Sequence, residues 1–297
     1  MLNHLSTVYP GVVGSAPLPL AVVVAVLVAA VVHSTWNAIA HSIPDQLVAF
    51  TLVGLGGALS AVPLVIWSPL PHVQSWPYLA ASVAVHIGYI LLLMQSYRLG
   101  DFSQVYPLAR GTSPLVVTLL AALAVGEVPG PAGIVGVGAI SAGLASLVLV
   151  GRSAKAGDGP ARLAALATGL TIAAYSTIDG VGVRLSGTAS GYSGWLLLLE
   201  GTVIPLYTLA RRRTLLREAR SAWAVGLTGG ALSLLAYGLV LWAQTQGALG
   251  PIAALRETSI IFGAVIGSVV FHERFGRPRV LAAILVACGI LVLSTGL

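Results

Sequence analysis

Residues 106–127 read YPLARGTSPLVVTLLAALAVGE, and residues 252–273 read IAALRETSIIFGAVIGSVVFHE. An ungapped shift of 146 residues lays Arg110 on Arg256, Thr112 on Thr258, Ser113 on Ser259 and Glu127 on Glu273. The same shift aligns Gly130 with Gly276 and Gly143 with Gly289. A second echo lies upstream: His33-Ser34-Thr35-Trp36-Asn37 matches Tyr175-Ser176-Thr177-Ile178-Asp179 at a shift of 142. One structural unit therefore occurs twice in the 297 residues.

The surroundings of these stretches say what the unit is made of. The chain is 57% hydrophobic and only 8% charged, whereas a soluble domain carries about 25% charged residues. It lacks the charge to cover a water-facing surface, so lipid is its solvent. Apolar runs of about 20 residues, rather than alternating segments of ten, suit helices that cross a hydrocarbon core of about 30 Å. Spans are expected at 20–40, 47–67, 78–97, 104–125 and 132–150, and again at 163–183, 192–210, 223–242, 251–271 and 280–297. The fold expected is all-α and integral to the membrane, with repeats at 18–150 and 160–297. Five spans per half is an odd number, so the halves must enter the membrane in opposite directions. Inverted repeats of this kind place a solute site at their interface.

Charge orients the bundle. Of 15 basic residues, 12 fall in the loops after spans 3, 5, 7 and 9, among them Arg98, Arg152, Lys155, Arg211, Arg212, Arg213, Arg274 and Arg277. Loops after even spans hold Arg184 alone, and Arg110 and Arg256 lie within spans. The excess of basic residues puts the odd loops in the cytoplasm and both termini outside. The net charge of +6 is thus a topology signal rather than a nucleic-acid footprint. Residues 1–19 contain no Lys or Arg, so a basic secretory n-region is missing. The single cysteine, Cys288, has no internal partner for a disulfide and is expected among packed helices.

Ionisable groups inside spans are costly and normally face the bundle interior or a watery cavity. Arg110 and Arg256 are the sharpest pair. They offer planar, permanently charged forks to a carboxylate or phosphate; the competing reading is an internal ion pair, with Glu257 adjacent and Glu200 elsewhere in the chain, or snorkelling. Asn37 and Asp179 are the second matched pair, able to line a pathway or to bond neighbouring helices. Asp179, Glu200 and Glu257 are the proton-coupling candidates, with a fixed salt bridge as the alternative for Glu200. Glu127 and Glu273 read as boundary anchors. Tyr89, Tyr106, Tyr175 and Tyr237 are candidates to line a polar cavity. His33 and His86 read as helix-packing histidines. Trp67, Trp76 and Trp223 read as interface anchors, residues 226–230 and 263–267 as small-residue contact faces, and Pro114 and Pro205 as kinks. No metal-ligand set, phosphate loop or nucleophile–base spacing stands out, so no enzyme, metal or cofactor is expected.

PLARGTSP followed by GE, and ALRETS followed by HER, resemble the two halves of EamA-type proteins of the drug/metabolite transporter superfamily. HSTWNAIAH at residues 33–41 resembles the opening span of one EamA subgroup. The resemblance runs from about residue 18 to 297. It implies a single-chain carrier with a cavity lined by spans 1, 3, 4, 6, 8 and 9, which favours Arg110, Arg256, Asn37, Asp179 and the four tyrosines. It also implies export of solute, often against protons. The expected function is alternating-access transport of small metabolites, such as amino acids or related organic anions. The protein would act as monomer or homodimer in a cell membrane, the bacterial inner membrane by this reading, without nucleic-acid partners. A lipid-carrier flippase and a non-transporting scaffold or sensor are the alternatives.

Overall fold

The computed structural model describes residues 18–99, 109–110, 113–150, 159–211, 219–262 and 277–295. Tyr106, Glu273 and the stretch 263–267 lie outside the described residues. A helix stands on every expected span: α1 (Leu20–Ser42), α2 (Gln46–Trp67), α3 (Trp76–Leu99), α4 (Ser113–Val125), α5 (Pro131–Val150), α6 (Gly159–Ser186), α7 (Ala189–Arg211), α8 (Trp223–Gln244), α9 (Leu249–Glu257) and α10 (Arg277–Thr295). Short 3₁₀ turns at Val73–Ser75 and Ala219–Ala222 lead into α3 and α8. No strand occurs among the described residues.

The helix ends follow from local chemistry and repeat between the halves. The Asp45 carboxylate accepts from the Leu47 and Val48 amides at 3.0 and 3.3 Å, which caps α2. The Thr188 hydroxyl accepts from the Gly191 amide at 3.1 Å and caps α7. Pro63 inside α2 and Pro205 inside α7 are again 142 residues apart. Pro114, by contrast, occupies the first turn of α4, where proline fits without kinking the helix. Gly126 and Gly187 take positive φ, +72° and +70°, directly after α4 and α6, the left-handed step that ends a helix. The ninth span departs from its expected form. α9 has nine residues and gives way at Thr258 to a tighter turn, leaving Arg256 and Glu257 at its C-terminal end; residues 259–262 are helical again, and 263–271 lie outside the described residues.

The main helix pairings join the two halves: α2 with α7, α5 with α10, α3 with α6, α2 with α8, α1 with α8 and α4 with α9. Replacing each helix by its repeat equivalent returns every pairing of this set except α2 with α8. Equivalent helices also run antiparallel. A Cβ on Gly136 would stand 3.1 Å from the Gly289 carbonyl oxygen, and one on Gly143 would stand 3.0 Å from that of Ala282. The numbers rise along α5 as they fall along α10, which inversion requires. The α2–α7 crossing is as close: a Cβ on Gly54 would lie 2.9 Å from the Gly201 carbonyl oxygen and one on Gly201 2.6 Å from that of Gly54. Glycine is demanded there because backbone meets backbone.

Burial is inside-out relative to a soluble protein. Leu20, Val24, Val28 and Val31 form an exposed stripe on α1, and Leu115, Leu119 and Leu123 form one on α4. Thr51, Thr168, Ser176, Asp179, Arg110, Arg256 and Glu257 are buried. Such apolar exteriors belong in lipid. Among the described residues, five helical stretches are long and apolar enough to cross a membrane by length and composition: Leu20–Ala40, Gln46–Trp67, Val73–Ser96, Ala189–Arg211 and Arg220–Gln244. The 28-residue α6 is long enough but carries Asp179, Arg184 and several hydroxyls. Cys288 points outward from α10 rather than into the packed interior, because α10 turns its small residues Ala282 and Gly289 toward α5.

Candidate functional site

The repeat-related arginines meet. Arg110 Nη1 donates to Glu257 Oε2 at 3.0 Å. Arg256 donates from Nε and Nη2 to Glu257 Oε1 at 3.0 and 2.8 Å. Arg256 Nη1 donates to the Ser176 hydroxyl at 2.9 Å, and its guanidinium lies 5.7 Å from the Tyr175 ring centre. Arg110 also contacts His33. All three charged groups are buried, Glu257 completely. One carboxylate therefore answers two guanidiniums that a 146-residue repeat placed in separate halves. Of the sequence alternatives, the geometry is that of an internal ion pair. Asn37 is turned to its own helix, donating from Nδ2 to the His33 carbonyl at 2.8 Å.

Asp179 sits in a second buried group. Its Oδ1 accepts from Tyr192 at 2.9 Å and its Oδ2 from Tyr237 at 2.5 Å. Two hydroxyl donors, one on each oxygen, hold it as an acceptor. A third group closes one end of the bundle. Arg184, in the last turn of α6, is paired with Glu127 beyond α4. It also donates to the carbonyls of Gln244 and Gly247, both at 2.7 Å, at the C-terminal end of α8. Glu127 in turn accepts from the Leu249 amide, 2.9 Å, at the start of α9. Glu127 is thus at a boundary, as the sequence suggests, but joins four helix ends in a buried pin. Arg184 carried no sequence signal beyond being the one basic residue outside the odd loops and the repeat pair.

Between these groups lies a cavity of about 800 Å³, its open mouth included. α1 contributes His33 and Trp36, α2 contributes Phe50, Gly54 and Gly57, and α3 contributes His86 and Tyr89. From the second half come Tyr175 of α6, Glu200 and Gly201 of α7, and Tyr237 of α8. The wall includes α2 and α7, which the resemblance did not name, and among the described residues it takes no side chain from α4 or α9, which the resemblance did name. The glycines at the α2–α7 crossing account for α2 and α7, since they leave no side chain to fill the space. Arg110, Arg256, Asn37 and Asp179 stand outside the wall; Tyr237 links Asp179 to it.

His86 and Glu200 are the polar centre of this wall. Glu200 is the twelfth of 23 residues in α7 and His86 the eleventh of 24 in α3, so both stand near mid-span. His86 stacks on Tyr175, ring centres 3.9 Å apart, with Tyr89 and Tyr237 edge-on at 6.4 and 5.7 Å. His86 Nδ1 lies 3.0 Å from the Ser82 carbonyl oxygen and 3.1 Å from its hydroxyl. His86 Nε2 faces Glu200 Oε2 across 3.6 Å, and that oxygen has no hydrogen-bond partner among the described residues. The pairing of residues 114 positions apart, from unrelated places in the two repeats, had no signal in the sequence. No cluster of metal-ligating side chains occurs among the described residues.

The match to a known family lies in the second half of this bundle. Residues 160–295 match the model of the EamA-like transporter family. The second half of the chain is thus similar to that family. The match and the apolar helices together support a multi-pass membrane protein of the transporter type. No curated protein matches it. Among solved structures, 27 chains match, one of them described only as a crystal structure of a protein. That chain shares 17% identity and a TM-score of 0.74, over 93% of the present chain and 99% of its own length. The likeness is one of fold, and it extends over both halves of the chain.

Proposed function

We propose that the protein is a secondary active carrier which exports a small amino-group-bearing metabolite, amino acids included, by alternating access and against protons. The observation that carries the reading is the mid-span cavity, lined from both halves and bordered by carboxylates. Glu200 stands in its wall, and Asp179 is reached through the Tyr237 hydroxyl. A carboxylate that can exchange its proton for solute is the economical coupling device inside a membrane. Inverted halves joined at the α2–α7 and α5–α10 crossings give the two mirror states that alternating access needs. The resemblance to EamA-type carriers supports export. Arg110 and Arg256 are assigned to joining the halves, because their charge is spent on Glu257.

By the loop charges, the Glu127–Arg184 pin lies at the outer end of the bundle. We assign it the closed outer gate, with the cell membrane, the bacterial inner membrane by this reading, as the location. Counterflow of labelled amino acids in proteoliposomes tests the proposal. Wild type is expected to exchange solute and to accumulate it when a pH gradient is imposed, whereas Asp179→Asn keeps exchange and loses accumulation. Accumulation indifferent to the gradient would remove the proton coupling, and an absence of counterflow would remove amino acids as solutes.

A further inference from the structure

We propose that the mid-span cavity binds the cationic group of an organic cation, a protonated or quaternary ammonium, with Glu200 as its counter-ion. The inference rests on reading this cavity as the solute site and names its chemistry. The ionisable groups near the cavity, with the carboxylates in their deprotonated state, are the cations Arg110 and Arg256 and the anions Glu257, Asp179 and Glu200. With both histidines neutral, two positive charges face three negative ones. Glu257 takes both guanidiniums, and Asp179 takes two tyrosine hydroxyls. Glu200 is left over, with a buried oxygen that nothing among the described residues donates to.

Its neighbour does not answer it. A carbonyl oxygen only accepts, so the Nδ1 contact with Ser82 at 3.0 Å places the imidazole proton on Nδ1. Nε2 of the neutral ring is then an acceptor, facing the acceptor Oε2 at 3.6 Å, beyond hydrogen-bond reach. Two acceptors looking across a gap are what an N–H-bearing cation bridges. Around them the wall is aromatic: Trp36, Tyr89, Tyr175 and Tyr237. Ring faces attract cations and offer nothing comparable to an anion. A quaternary ammonium would use the rings and the carboxylate's field alone, and a primary amine would add the bridging hydrogen bonds.

Titration calorimetry on the full chain in a neutral detergent provides the test. The probes are choline and tetraethylammonium, the uncharged choline isostere 3,3-dimethylbutan-1-ol, and the anion 3,3-dimethylbutanoate. At least one cation is expected to bind, with the alcohol about tenfold or more weaker than choline and the anion silent. Glu200→Gln is expected to lower cation affinity by about tenfold or more while the elution profile and melting curve stay those of a folded protein. Binding of neither cation, equal binding of choline and the alcohol, or cation affinity unmoved in Glu200→Gln would overturn the proposal. The comparison of choline with the alcohol uses wild-type protein, so it stands even if the variant misfolds. Proteoliposome counterflow separates the two readings: cation binding without transport breaks the carrier assignment alone, and transport of neutral or anionic solutes without cation binding breaks the cation assignment alone.

Discussion

Glu257 and Glu200 are both carboxylates inside a helical bundle, and the structure treats them in opposite ways. Glu257 is fully buried and engages Arg110 and Arg256 from the two repeats. Glu200 stands in a cavity wall with an oxygen that has no hydrogen-bond partner among the described residues and a histidine nitrogen 3.6 Å away. The first arrangement spends its charge on holding helices together. The second keeps its charge available to something that enters. Inside a membrane the difference is large, because an unanswered charge in low dielectric is expensive and persists only where function recovers the cost.

Removing the answered carboxylate should be the more damaging change. Glu257→Gln leaves two buried guanidiniums facing one another. It is expected to destabilise the protein by about 3–5 kcal/mol or to prevent its recovery from the membrane, read by thermal melting in detergent. A melting curve like that of wild type would mean that the arginines are hydrated and open to solute after all. Next in size is Arg184→Met, which strips Glu127 of its partner and frees the Gln244 and Gly247 carbonyls. A loss of about 2–3 kcal/mol is expected, together with cysteine-labelling reagents reaching the outer end of the bundle more readily. Unchanged labelling would deny the pin its role as a closure.

A smaller effect is expected at the α2–α7 crossing. Gly201→Ala puts a methyl 2.6 Å from the Gly54 carbonyl oxygen, so the helices must part, at about 1–3 kcal/mol, and the adjoining cavity changes shape. Transport with altered solute affinity is the outcome that ties the crossing to the site, and an affinity equal to wild type would detach it. The smallest stability effect belongs to Glu200→Gln. Replacing this half-buried carboxylate, which no donor among the described residues engages at Oε2, is expected to change stability by less than about 1 kcal/mol, or to raise it, while solute binding falls. A Glu200→Gln protein as unstable as Glu257→Gln would erase the contrast between the two carboxylates.

Much of the architecture was legible in the sequence. Lipid admits few ways to satisfy a backbone, so ten apolar runs became ten helices, and the 146-residue repeat became antiparallel pairs such as α5 and α10. Arg110 and Arg256 stood out because a charge within an apolar run is rare, and Glu257 was visible beside one of them as a partner. The cavity wall was less legible. Gly54 and Gly201 are unremarkable among 35 glycines until two backbones meet at them. Tyr237 reads as any aromatic until its hydroxyl is found on Asp179.

By itself, then, the sequence determined the solvent, the number of spans, the inversion and the residues too polar for their surroundings. Those properties depend on local composition and period, which one chain displays in full. Only the tertiary structure decided which of the polar residues answer one another. Glu257 was claimed by two arginines, Glu127 by Arg184, and Glu200 Oε2 by no hydrogen-bond donor among the described residues, because pairing depends on distances across helices that sequence separation does not encode.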